Sequence, residues 1–199
     1  MPTRRLFIAA AAAALAACAS TTIRDTWTDP AWTGAPFRKV LVLGVSRDVP
    51  ERRVFEDIMA QRIAATGVEA VPAWRYLPEG GRADEPTLDR AVRESGADGL
   101  VMSRTRSIDR RTSVSTVMVP VHYGFGWYPW YAGWYPATDV RQYDIAVVET
   151  SVFDTSTKRV VWTGVTETYE PSSVARDAPG FADVIVRALQ RRRVLPGGA

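Results

Sequence analysis

Lys39-Val-Leu-Val-Leu-Gly-Val45 is a continuous hydrophobic run with no polar alternation. A continuous run of β-branched residues and leucine predicts a central strand buried on both faces. Asp48-Val-Pro-Glu51 follows, a cap residue with Glu three positions later and Pro in the first turn. This predicts a first helix running to about Ala65, with Val54, Phe55, Ile58, Met59 and Ile63 on its inner face. Gly67 stops it. Val68 to Ala73 is expected as a second strand, and Pro78 to Pro86 as a charged loop. A short helix over Thr87 to Ser95 turns Leu88, Ala91 and Val92 inward and ends at Gly96. Asp98-Gly-Leu-Val-Met-Ser103 is a third strand. The order β-α-β-α-β argues for a mostly parallel sheet with right-handed crossovers.

The pattern changes in the second half. Ser113 to Val121 and Tyr143 to Phe153 are predicted strands, and Val160 to Thr168 pairs with the latter across the Asp154–Lys158 turn. A last helix is expected over about Phe181 to Arg193, with Phe181, Val184, Ile185 and Leu189 inward. Arg191, Arg192 and Arg193 fall at its C-terminal end, where the helix dipole favours cations. The expected fold class is α/β. It is a single domain over 38–199, with β-α-β-α-β, then an antiparallel hairpin region and a C-terminal helix on a mixed sheet. Residues 18–37 lack an apolar period and are expected as a tether, with Trp27 and Trp32 resting on the domain or a membrane interface.

Charge changes the picture little. The formal net charge is +3, and Arg4 and Arg5 account for much of it. The remaining arginines alternate with Asp and Glu, so no basic face exists to displace counterions from nucleic acid. The turn after the first strand, Gly44-Val-Ser-Arg-Asp48, has one glycine and no phosphate-binding signature, so no nucleotide cofactor is expected. His122 is the only histidine and Cys18 the only cysteine, which excludes multi-imidazole metal sites, internal disulfides and CxxC redox pairs. No serine lies in G-x-S-x-G. Glu56 and Asp57 are adjacent and point in different directions on a helix. A two-carboxylate hydrolase site would have to gather distant residues such as Asp98, Asp109 or Glu149. The expectation is no catalytic residues, no metal and no cofactor.

The N-terminus carries a definite address. Arg4 and Arg5 precede a mostly alanine run from Leu6 to Leu15, which is too short to span a bilayer and is expected as a cleaved export signal over 1–17. Thr3-Arg4-Arg5-Leu6-Phe7-Ile8 is similar to a twin-arginine signal. Leu15-Ala16-Ala17-Cys18 resembles the lipobox of bacterial lipoproteins. That resemblance implies acyl chains on Cys18 as the membrane anchor. Ala19 and Ser20, with no aspartate after the cysteine, imply the periplasmic face of the outer membrane.

A wider resemblance rests on Lys39 to Val45, Arg53-x-Phe55-Glu56, Gly96-Ala-Asp98, and Phe153-Asp-Thr with Val161-Trp162-Thr-Gly164. Over about residues 38–193 the chain resembles the α/β module of envelope lipoproteins. Its relatives include the TolB amino-terminal domain, the curli-secretion lipoprotein, penicillin-binding-protein activators and a domain-of-unknown-function family. The match concerns architecture and carries no chemistry.

The sequence adds one feature of its own, the Gly/Pro-broken segment 122–136, HYGFGWYPWYAGWYP. Gly126-Trp-Tyr-Pro129 recurs as Gly133-Trp-Tyr-Pro136, and glycine and proline at this density predict a loop. Its aromatic residues Tyr123, Phe125, Trp127, Tyr128, Trp130, Tyr131, Trp134 and Tyr135 are the candidate contact surface, for an envelope protein, a glycan or the bilayer. The expected function is a non-enzymatic, membrane-anchored binding or structural module. The alternatives are an oligomeric component of a secretion or pore assembly, and a peptidoglycan-acting hydrolase. A membrane-spanning hairpin is not expected, because the broken loop does not supply strands of roughly 9–11 residues.

Overall fold

In a computed structural model the described residues are 21–77, 84–120 and 134–197. They form β1 (Thr21–Thr28), β2 (Lys39–Val45), α1 (Val49–Ala64), β3 (Glu69–Pro72), α2 (Glu85–Ser95), β4 (Gly99–Pro120), β5 (Trp134–Asp154), β6 (Val160–Tyr169) and α3 (Val174–Arg191). A 3₁₀ turn at Ala73–Arg75 follows β3. The six strands make one mixed sheet in the order β1-β6-β5-β4-β2-β3. β2 lies parallel to β3 and to β4, while the pairs β4–β5, β5–β6 and β1–β6 are antiparallel.

The unbroken apolar run of β2 is explained by helices on both sides of it. Val40 and Val42 face a core built with Met59 and Ile63 of α1 and Phe181, Ile185 and Leu189 of α3. Leu41 and Leu43 face a second core with Val71, Leu77, Ala91 and Leu100, on the side where α2 packs. Asp98 fastens the starts of the two parallel strands, accepting the backbone N–H groups of Arg38 and Lys39 at 3.1 and 2.9 Å. The α1 cap forms as the sequence suggests, with the Asp48 carboxylate accepting the Glu51 N–H at 2.9 Å. Gly96 ends α2 at φ 64°, a conformation that favours glycine.

Several expectations need correction. The stretch read as a tether contributes β1, hydrogen-bonded along β6. A bulge between Ile23 and Asp25 breaks its alternation, which hid the strand from a period-two reading. Trp32 packs on the core with its ring centroid 5.2 Å from that of Phe37, whereas Trp27 is half exposed. The inner stripe of α1 is Arg52, Glu56, Met59, Ala60 and Ile63, rotated from the expected one. Val54 is exposed and Ile58 only half-buried, because the buried stripe includes an ion pair that polarity alone assigns to solvent. α2 begins at Glu85, capped by Asp84. α3 begins seven residues before the expected Phe181 and contains Pro179. The Asp177 carboxylate secures its start by accepting the N–H groups of Ser172 and Ser173.

This packing ranks two isoleucines on one helix. Ile63→Ala should cost about 2–5 kcal/mol, the usual loss for a fully buried side chain, and Ile58→Ala distinctly less. Urea unfolding of the two variants checks the order. Equal losses would show that α1 presents a different face to the sheet.

Candidate functional site

β4 and β5 are the two longest strands, of 22 and 21 residues, whereas β2 has seven and β6 ten. β2 therefore accompanies β4 only from Gly99 to Arg104, and β6 accompanies β5 only from Ile145 onward. Beyond those points β4 and β5 pair with each other alone, in register out to Pro120 opposite Trp134. A bulge between Thr105 and Ser107 marks the place where β4 leaves the sheet, and bulges bend and twist a strand there. At about 3.3 Å per residue, the stretch from Thr105 to Pro120 spans roughly 50 Å.

The composition of the described part of this ribbon matches its exposure. Arg110 to Thr116 are all exposed, as are Thr138, Val140, Arg141 and Gln142. Arg110 and Asp144 form a cross-strand ion pair at 3.1 Å, and Val114 lies opposite Val140. At the root, Glu149 lies between Arg104 and Arg106 at 3.2 and 3.6 Å. The Tyr143 and Tyr169 rings meet there at 6.0 Å. The expectation of separate strands at Asp98–Ser103 and Ser113–Val121 is thus corrected to one continuous strand. The intervening RTRSIDRRT gives no strand signal in the sequence because neither of its faces is apolar.

Of the candidate contact residues, Tyr123, Phe125, Trp127, Tyr128, Trp130 and Tyr131 lie outside the described residues, as do Cys18 and His122. Trp134, Tyr135 and Pro136, expected in the loop, are backbone members of β5 opposite Pro120, Val119 and Met118. The aromatic segment thus joins two strands at the end of the ribbon farthest from the sheet.

The carboxylates considered for hydrolysis are dispersed. Asp98 holds the strand starts, Asp109 lies on the ribbon opposite Ile145, and Glu149 is engaged by arginines. Glu56 is fully buried in α1, with Oε1 accepting the Gly44 N–H at 3.0 Å and Oε2 the Trp74 N–H at 2.7 Å. Burial pushes its carboxyl above the ordinary carboxylate range, against the two backbone N–H groups and Arg52, which pull it down. Its neighbour Asp57 points outward and accepts the Trp74 indole N–H at 2.8 Å. Among the described residues no group of three or more His, Cys, Asp or Glu could hold a metal, and no helix is long and apolar enough to cross a membrane.

No family model matches the chain, and no curated protein matches its sequence. Among solved structures it is similar to a PelC dodecamer from Paraburkholderia phytofirmans, at 16% identity over 88% of this chain and 99% of that one, with a TM-score of 0.45. A single-substitution variant of that protein matches at 16% identity, over 90% and 100%, with a TM-score of 0.47. Lipoprotein GNA1162 from Neisseria meningitidis matches at 13% identity, over 77% and 96%, with a TM-score of 0.40.

The register of the ribbon is open to a direct chemical test. Val114→Cys with Val140→Cys places two thiols on facing residues, within the Cα separation a disulfide needs. Mild oxidation should close that bridge quickly, and should close Val114→Cys with Thr138→Cys much more slowly. The reverse order of rates would show the register to be displaced.

Proposed function

We propose that this chain is a cell-envelope lipoprotein, held on the periplasmic face of the outer membrane by acyl chains on Cys18. In this reading it is a non-enzymatic contact module that offers its aromatic segment to an envelope protein or glycan. The observation that carries the reading is the pairing of Pro120 with Trp134, the residues that flank the segment 121–133, at the far ends of two strands that continue past every neighbouring strand of the sheet. A segment dense in tryptophan and tyrosine is suited to contact, since those residues dominate binding hot spots. The anchor is supported by the single cysteine, which lies directly after a short apolar run and two alanines.

The same ribbon favours a second reading, an oligomeric component of an envelope secretion or pore assembly. Past Arg104 in β4 and before Ile145 in β5, neither strand has a second neighbour among the described residues. Such edges are templates for pairing with another chain. The strands are also long enough for a bilayer, contrary to the expectation from sequence. Their charges oppose lipid contact over the inner half of the ribbon. Arg110 and Asp144 occupy one face, and Asp109, Arg111 and Arg141 the other, so neither face there is apolar.

Two substitutions test the proposal together. Cys18→Ser should release the protein from membranes, and its retention after a high-salt wash would refute lipid anchoring. In the lipidated chain, Trp127→Ala with Trp134→Ala should leave thermal stability nearly unchanged and abolish crosslinking to envelope components. A loss of about 3–5 kcal/mol, typical of a buried tryptophan, would place these rings in a core and refute the contact role.

A further inference from the structure

The link between the proposed anchor and the folded body is short. β1 pairs with β6 from its first residue, with Thr21 opposite Thr168 and their hydroxyl oxygens 2.9 Å apart. Only Ala19 and Ser20 separate Thr21 from Cys18. Three residues of extended chain reach at most about 10 Å. Lipid on Cys18 therefore brings one particular end of the sheet to the bilayer.

The strand order identifies that end. β6 is antiparallel to both β1 and β5, so Thr21 lies beside the last residues of β6, and Thr168 and Tyr169 pair in turn with Ala146 and Ile145. This is where β6 stops and the ribbon begins. The parallel strands β2 and β4 point their C-terminal ends the same way. The Asp154–Lys158 turn lies at the other end of β6, whose ten residues span roughly 33 Å.

The surface at the near end suits a bilayer. Of the exposed large hydrophobic side chains among the described residues, Val45, Ile108, Val114, Val140 and Tyr169 lie at this end or on the ribbon. Val45 and Ile108, 53% and 65% exposed, border one opening between the sheet and the starts of α1 and α3. The Tyr143 and Tyr169 rings meet beside it, and tyrosine favours the level of lipid headgroups. Basic side chains at the root have acidic neighbours. Arg24 and Arg111 approach Glu167, Arg104 and Arg106 approach Glu149, and Arg110 pairs with Asp144.

Resting on the lipid-anchor reading, we propose that this end of the sheet is a bilayer-contacting surface, with Val45, Ile108 and Tyr169 at the headgroup boundary. The paired charges require no anionic lipid, and they keep the root at headgroup level, out of the hydrocarbon core. The ribbon then leaves the body at the membrane surface, so whatever it contacts is met there and not deep in the periplasm.

Quenching of a fluorophore by headgroup nitroxides tests this, with the lipidated full chain bound to phosphatidylcholine vesicles. Acylation consumes the single native thiol, so one added cysteine takes the label alone. Labels at Ile108→Cys and Tyr169→Cys should be quenched several times more strongly than a label at Thr157→Cys in the far turn. All three positions are exposed, circular dichroism checks each fold, and Val45→Cys replaces any near-end variant that fails. Mass spectrometry of the same preparation reads acylation of Cys18. An unacylated chain would refute the anchor and this orientation with it. An acylated chain with equal quenching at both ends, or with stronger quenching at Thr157→Cys, would overturn the orientation alone.

Discussion

The shape of this protein depends on a mismatch of strand lengths. β4 and β5 hydrogen-bond to each other along nearly their whole length, but their outer neighbours β2 and β6 stop far earlier. Inside the shared stretch β4 and β5 each have two neighbours, and apolar side chains fill both faces beneath α1, α2 and α3. Outside it, the two strands continue with Arg110 to Thr116, Thr138 and Val140 to Gln142 exposed. An isolated two-stranded ribbon is marginally stable, so its root must hold it. There Ile145 is fully buried, and Arg104 and Arg106 converge on Glu149. The body and the ribbon are thus two regimes of one sheet.

How much of this the sequence disclosed follows from the same division. Where a strand is buried on both sides, as in Val40 to Leu43, its apolar run announces it. Where a helix buries carbon alone, as at Ile185 and Leu189, the spacing announces it too. α1 was placed correctly in the chain but rotated, since Arg52 and Glu56 occupy buried positions that polarity assigns to water. The ribbon was legible only in pieces. Residues 104–112 are polar at every position but Ile108, and β-pairing with no apolar face leaves no periodic trace. β1 was lost for a related reason, being an edge strand with a bulge. The candidate contact residues are visible as composition, whereas the pairing of Pro120 with Trp134 at the far end of a ribbon is not. Arg52 carried no signal, because an arginine in an i,i+4 pair with glutamate looks like a solvated helix face.

The claim on which all of this rests is that β4 changes environment near Thr105 while remaining one strand. Amide hydrogen exchange, resolved residue by residue along β4 in the monomer, tests it most directly. Protection should be strong from Leu100 to Arg104, where β2 and β5 flank the strand, and should fall steeply from Ser107 to Thr116. Uniform strong protection through Thr116 would contradict the account, because it would mean that the outer half of β4 is covered by structure that the described residues do not supply.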